Sequence, residues 1–188
     1  MALIPVTTYP IPDKFNKEKA FAALYYIINK LAPVDMYKLL KILYLADKMH
    51  LAKYGRLMFD EDYQALEYGP VPANCYSIIK MAKNQRSVQS SYEEYVRPII
   101  TRGNNILKSP EPDMDELSGS EIKCLEHAIG ELKDFTFDKI KMTSHGFAWE
   151  NAKRNGIMRI EDIAKEAGAN EAMIAYINEN VENSHIFA

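Results

Sequence analysis

Asp47 and His50 stand three residues apart in the stretch LLKILYLADKMHLAKYGRLMFD, and a carboxylate beside an imidazole is equipment for acid–base chemistry. Catalysis would need more than that pair. The sequence places no Ser, Cys or Lys nucleophile beside them, and the chain has no glycine-rich phosphate loop. A structural ion pair or hydrogen-bonded group is therefore favoured over a catalytic dyad, since buried networks perturb carboxylates as readily as active sites do. Asp47 falls in an apolar stripe, seven residues after Leu40 and four before Leu51, so it needs a partner. A lysine or a tyrosine hydroxyl from the first or third helix is expected there, Tyr68 being one candidate. His145 and Trp149 are four apart and share a face if the chain is helical between them. They read as a packed pair rather than as ligands. His50, His127, His145, His185, Cys75 and Cys124 form no HxxxH, HExxH or CxxC, so no metal and no cofactor is expected, and no enzymatic activity.

The elements that must carry these residues are mostly helices. Asp35 is a good N-cap and Gly55 suits the left-handed position past a helix end, which bounds a helix between them. Leu39, Ile42, Leu43, Ala46 and Met49 form one apolar stripe on it; Leu40, Tyr44 and Leu51 form a second, so this helix belongs inside a core. An earlier helix runs from about Lys14 to Leu31, and Pro33 closes it. Residues 57–69 change to an alternating, extended pattern. Tyr68-Gly69-Pro70 then makes a rigid corner or a preorganised edge for a partner, and Pro72 opens a third helix running to about Lys83. YVRPIIT (95–101) and NNILK (104–108) flank Arg102-Gly103 as an antiparallel β-hairpin within 94–108, with Pro98 favouring an edge. Ser118 and Glu121 match a capping box, and Thr136 caps a short helix around Ile140. Further helices fit 160–167 and 170–181. The spacing predicts a mainly α (α+β) chain: an extended arm over residues 1–13, rich in proline, and a single domain over 14–188. That domain has a helical core at 14–83 around a buried central helix, and C-terminal helices at 117–182.

Composition narrows the classes. A chain of 188 residues with 47% hydrophobic and 26% charged residues can bury one substantial core. No apolar run approaches the length of a membrane span, the N-terminus does not read as a secretory signal, and two isolated thiols suit a reducing cytoplasm. Net charge is uneven: residues 1–59 carry nine Lys or Arg against four acids, and residues 160–188 one Lys against six acids. The acidic end suits a basic partner, although ordinary solvated faces would give the same count. Ala164, Gly168 and Ile174 have helix-turn-helix spacing, but the second helix would carry Glu171 and Glu179 with no Lys or Arg, against what phosphate contact requires. A packed helical hairpin is the stronger reading. Of the twelve tyrosines, Tyr25, Tyr26, Tyr44 and Tyr76 read as core, and Tyr92 and Tyr95 as possible surface contacts.

Lys38-Leu39-Leu40, Leu43 to Asp47, His50, Tyr54-Gly55-Arg56 and Tyr68-Gly69-Pro70-Val71-Pro72, followed later by Ser144-His145 and Trp149, resemble the Panacea domain of the SocA-like antitoxins of bacterial and phage toxin–antitoxin pairs. The likeness is dense over 20–82, thinner over 116–152 and absent from the first dozen residues. It implies an antitoxin that captures a protein toxin, one encoded next to it, by direct binding and without chemistry of its own. Lys41, Tyr44, Asp47, His50, Tyr68, Gly69, Pro70, His145 and Trp149 are the motif positions, structural or toxin-binding. The alternatives kept open are an adaptor that hands the toxin to a cytoplasmic protease and, further off, a helix-turn-helix DNA-binding regulator.

Overall fold

A computed structural model describes the backbone of Ile11 and of residues 14–186, and the side chains as far as Val181. The expected N-terminal arm lies, apart from Ile11, outside the described residues. Nine helices are described: α1 (Lys17–Leu31), α2 (Met36–Tyr54), α3 (Ala73–Ala82), α4 (Glu93–Val96), α5 (Gly119–Leu132), α6 (Phe137–Ser144), α7 (Phe147–Asn151), α8 (Ile160–Glu166) and α9 (Glu171–Ile186). Five strands accompany them: β1 (Val34–Asp35), β2 (Tyr63–Leu66), β3 (Gly69–Pro72), β4 (Ile100–Arg102) and β5 (Asn105–Lys108). The fold is mainly α with some β.

α2 is the central element. Asp35 caps it by accepting from the Tyr37 and Lys38 amides, and Gly55 ends it at φ 75°. That glycine is required twice over, because a Cβ there would run into Tyr176 and Met173 of α9. Leu39, Ile42, Leu43 and Ala46 are fully buried in the larger core with α1, α3 and α5, while Tyr44 and Leu51 belong to a second cluster with Tyr63, Ala148, Ile163 and Ile177. α2 thus separates two apolar layers, which is why it is apolar on most sides. The Ser118–Glu121 capping box and the Thr136 cap both form, on α5 and α6.

The β structure departs from expectation. The 94–108 hairpin is shorter: β4 begins at Ile100, and Tyr95 and Val96 lie in α4. Burial decides this, since Val96 turns into the core and the Tyr25 hydroxyl donates to the Tyr95 carbonyl at 2.6 Å. Pro98 is therefore outside the strand. β5 also pairs with β1, giving a three-stranded antiparallel sheet in the order β1-β5-β4. A two-residue strand between two helices shows no period in sequence.

The extended piece at 57–69 is half of a second hairpin, whose other half contains Pro70 and Pro72. Tyr63 faces Pro72 and Ala65 faces Pro70. Tyr63 and Ala65 turn their backbone groups away from β3 to residues 155–158: Ala65 N–H donates to Gly156 and its carbonyl accepts from Asn155, both at 2.9 Å, and Tyr63 accepts from Met158 at 2.8 Å. The prolines thus occupy non-hydrogen-bonded pairs, where a missing N–H is not needed. Pro72 also opens α3 without a capping side chain. Glu61 does that work, accepting from the Asn74 and Cys75 amides at 2.9 and 3.0 Å while itself buried.

Candidate protein-recognition site

Asp47 and His50 go separate ways. Asp47 is fully buried and accepts from the Met58 amide at 2.6 Å and the Tyr63 hydroxyl at 2.7 Å. Burial pushes its carboxyl up to about 7 even against those two bonds. Its partner is neither a lysine nor Tyr68, and it comes from β2 rather than from a helix. The β2–β3 hairpin folds onto α2 and brings Tyr63 in, a contact across the fold that helix spacing does not contain. His50 Nδ1 lies 3.0 Å from the Arg56 carbonyl, which can only accept, so that nitrogen carries the proton; Nε2 then accepts from the Ser120 hydroxyl at 3.1 Å. His50 thereby ties α2 to the start of α5.

A second polar group sits six residues before Asp47 on α2. Lys41 is 1% exposed and donates from Nζ to the Pro70 carbonyl, which points away from β2. Burial brings its amine down to about 7. Gly69, at φ 96°, lies directly against this group: a Cβ there would stand 2.8 Å from Lys41 Nζ, 2.8 Å from Ser144 Oγ and 2.9 Å from His145 Cδ2. Only glycine permits so close an approach. His145 closes α6, and its ring stacks on Trp149 of α7 at 3.9 Å and 12°. The two residues meet across a break at Gly146 rather than along one helix. Trp149 Nε1 donates to the Leu66 carbonyl at 2.8 Å. Burial and the nearby Lys41 and Lys141 charges hold the imidazole below its usual range, and its Nε2 is buried with no hydrogen-bond partner. The Tyr44 ring packs edge-on to Tyr63 at 5.1 Å, and its buried hydroxyl faces the Glu166 carboxylate. Glu166 of α8 holds α7 in place: it accepts from the Ala148 amide at 2.6 Å and pairs with Lys48 of α2.

Over this layer lies an aromatic face that the motif positions alone do not reveal. The Tyr37 hydroxyl donates to the Tyr68 carbonyl at 3.0 Å; Phe137 packs 4.4 Å from the Tyr37 ring and 5.7 Å from the Tyr68 ring; Lys141 lies over Tyr68 at 5.3 Å. Tyr68 and Phe137 remain 42% and 47% exposed. Tyr92 and Tyr95 are not part of it. Tyr92 is buried, contrary to the expected surface role, and Tyr95 is half-buried and stacked on Phe21 at 4.6 Å. The polar sequence around them folds into helical turns that lay both rings on α1. Tyr26 and Tyr76, expected in the core, are half-buried at its margin.

The charge asymmetry is largely consumed inside the fold. Lys14, Lys17, Lys30 and Lys48 pair with Asp62, Glu18, Glu126 and Glu166, and Lys19 and Arg56 share Glu121. Lys38 and Lys41 donate to backbone carbonyls, and Lys53 lies over the Tyr54 ring. In α8, Glu161 pairs with Arg159 and Lys165, and Asp162 accepts from Asn151. Among the described residues of α8 and α9, Glu171 and Glu179 are left as unpaired acids. Among the described residues, no three His, Cys, Asp or Glu side chains group as metal ligands, and no helix is long and apolar enough to cross a membrane.

The helical scaffold thus carries an exposed aromatic face over a partly satisfied polar layer. Residues 39–150, more than half of the chain, match the family described as antitoxin SocA-like, Panacea domain. The chain belongs to that family, which supports an antitoxin role and implies a protein toxin as partner. No curated protein and no solved structure matches it. Every motif position from Lys41 to Trp149 falls within the matched segment, and α8 and α9 lie beyond it.

Proposed function

We propose that this protein neutralises a cognate toxin, encoded next to it, by binding it directly through the face formed by Tyr37, Tyr68 and Phe137. The observation that carries this reading is convergence. Lys41, Tyr68, Gly69, Pro70, His145 and Trp149, scattered over more than a hundred positions, meet at one place, and exposed aromatic rings cover it. Aromatic side chains supply broad contact area at small entropic cost, which is the composition of interface hot spots. Residues 14–188 act as one cytoplasmic domain without a reaction of their own, and the toxin's active site or substrate surface is occluded on binding.

Co-expression with the adjacent reading frame tests this. Growth is rescued and the two chains co-elute; a neighbour that is harmless alone, with no complex, overturns it. Rescue without a complex, accompanied by protease-dependent toxin levels, supports the adaptor reading instead. No sequence-specific DNA binding is expected of the intact protein. Glu171 and Glu179 would face phosphate in the helix-turn-helix mode, and most cations of the N-terminal region already hold internal partners. A salt-sensitive, sequence-preferring gel shift on its own promoter would contradict that.

A further inference from the structure

At the end of β2, where Glu67 precedes Tyr68 of the aromatic face, is a pocket of about 320 Å³ lined by Ala65, Leu66, Glu67, Trp149, Glu150, Ala152 and Arg154. Ala65, Leu66, Ala152 and Trp149 supply its apolar lining. Glu67, Glu150 and Arg154 are exposed, and none of the three holds an ion pair or a side-chain hydrogen bond within the protein. Other exposed charges, such as Glu94, Asp134, Glu171 and Glu179, are unpaired too; here two such carboxylates and an indole line one pocket. Two free carboxylates stand against one free guanidinium, so the pocket carries a net negative charge beside an electron-rich ring.

We propose that this pocket receives a lysine or arginine side chain of the partner protein. The aliphatic stem of such a residue covers Ala65, Leu66 and Ala152 while its cationic head meets Glu67 and Glu150 and the indole, an arrangement that joins charge pairing with cation–π attraction. The pocket adjoins Tyr68, so one partner surface can cover the aromatic face and insert this side chain together. The inference rests on the direct-binding reading for the identity of the partner, but the pocket's preference for a cation can be tested without it.

Two experiments separate the two ideas. In the first, the isolated protein is titrated with acetyl-lysine methylamide and with acetyl-glutamate methylamide while the indole N–H resonance of Trp149, the chain's single tryptophan, is followed. The lysine derivative shifts that resonance saturably at millimolar concentration, the glutamate derivative does not, and Glu67→Gln/Glu150→Gln abolishes the shift. Equal responses to both derivatives, or none, overturn the proposal whatever the toxin does. In the second, the neighbour-encoded protein is the probe. The double variant binds it about tenfold more weakly, and Arg154→Gln binds it more tightly because the competing cation is gone. Weaker binding by Arg154→Gln would mean that the pocket takes an acid and would refute the assignment. Complete failure of the neighbour to bind, with the lysine response intact, would refute the direct-binding reading and leave the pocket's preference standing.

Discussion

Two buried polar groups on the same helix behave in opposite ways. Asp47 has both carboxylate oxygens engaged, by the Met58 amide and the Tyr63 hydroxyl, and is fully buried. Lys41 has one described acceptor, the Pro70 carbonyl, and its surroundings include an imidazole nitrogen with no partner and a layer of half-exposed aromatic rings. Removing charge from water is costly in both places. At Asp47 the cost is offset by bonds that lock β2 and the Met58 segment to α2. At Lys41 it is offset less completely, in a region that keeps apolar surface in water. A satisfied network reads as architecture. A partly satisfied one beneath uncovered rings fits the binding face proposed above.

The largest expected effect tests the first half of that comparison. Asp47→Ala orphans an amide and a hydroxyl and destabilises the fold by about 1–3 kcal/mol in urea denaturation, while toxin affinity per folded molecule is unchanged. Unchanged stability with lost binding would reverse the assignment. Next comes the aromatic face: Phe137→Ala or Tyr68→Ala weakens toxin binding by about 1–2 kcal/mol with stability altered by less than about 0.5 kcal/mol. A large loss of stability there would move the rings from interface to core. Lys41→Met replaces a desolvated amine with an apolar chain of similar volume and shifts stability by less than about 1.5 kcal/mol; a change as large as that of Asp47→Ala would erase the contrast.

The finest test is pH. The Asp47 carboxyl is raised from 3.8 to about 7 and the Glu61 carboxyl from 4.5 to about 7, so the folded state holds protons that the unfolded state has released. Stability from these groups is lost as pH rises towards 7. Lys41 is lowered from 10.5 to about 7, so the unfolded state binds the extra proton above neutrality and stability recovers as pH rises further. His50 and His145, both lowered from 6.5, oppose the first limb only. Urea midpoints should therefore dip near neutrality. Asp47→Asn flattens the acid limb and Lys41→Met the alkaline one; a profile in which either variant alters both limbs would show the two groups to be coupled.

Much of the helical frame was legible because its signals are local. Asp35, Gly55, the Ser118–Glu121 box and Thr136 each mark a helix end within four residues of its own backbone partners. The burial of Asp47 was legible too, from the stripe it interrupts. Its partner was not, because Tyr63 reaches it through a hairpin whose second strand contains two prolines, and only the outward-facing pairs of that hairpin make prolines admissible. Tyr92 misled for a related reason: a polar neighbourhood says nothing about which side of a helical turn is inward. Phe137 and Tyr37, which complete the aromatic face, carry no motif; only the packing of α6 beside α2 brings them to Tyr68. Glu166 could not have been found by motif at all, since it acts from beyond the matched segment.

The pairing of residues 155–158 along β2 has a consequence for anyone who wishes to move this domain into another protein. The family match stops at residue 150, yet the free edge of β2 is closed by Asn155, Gly156 and Met158, and α7 is held by Glu166. A graft cut at the family boundary would carry a bare strand edge, which invites pairing with any other exposed strand, and α7 released from its tether. The smallest transplantable unit therefore extends past the recognisable one, at least through the hairpin of α8 and α9, and chimeras that swap target preference should place their junction there.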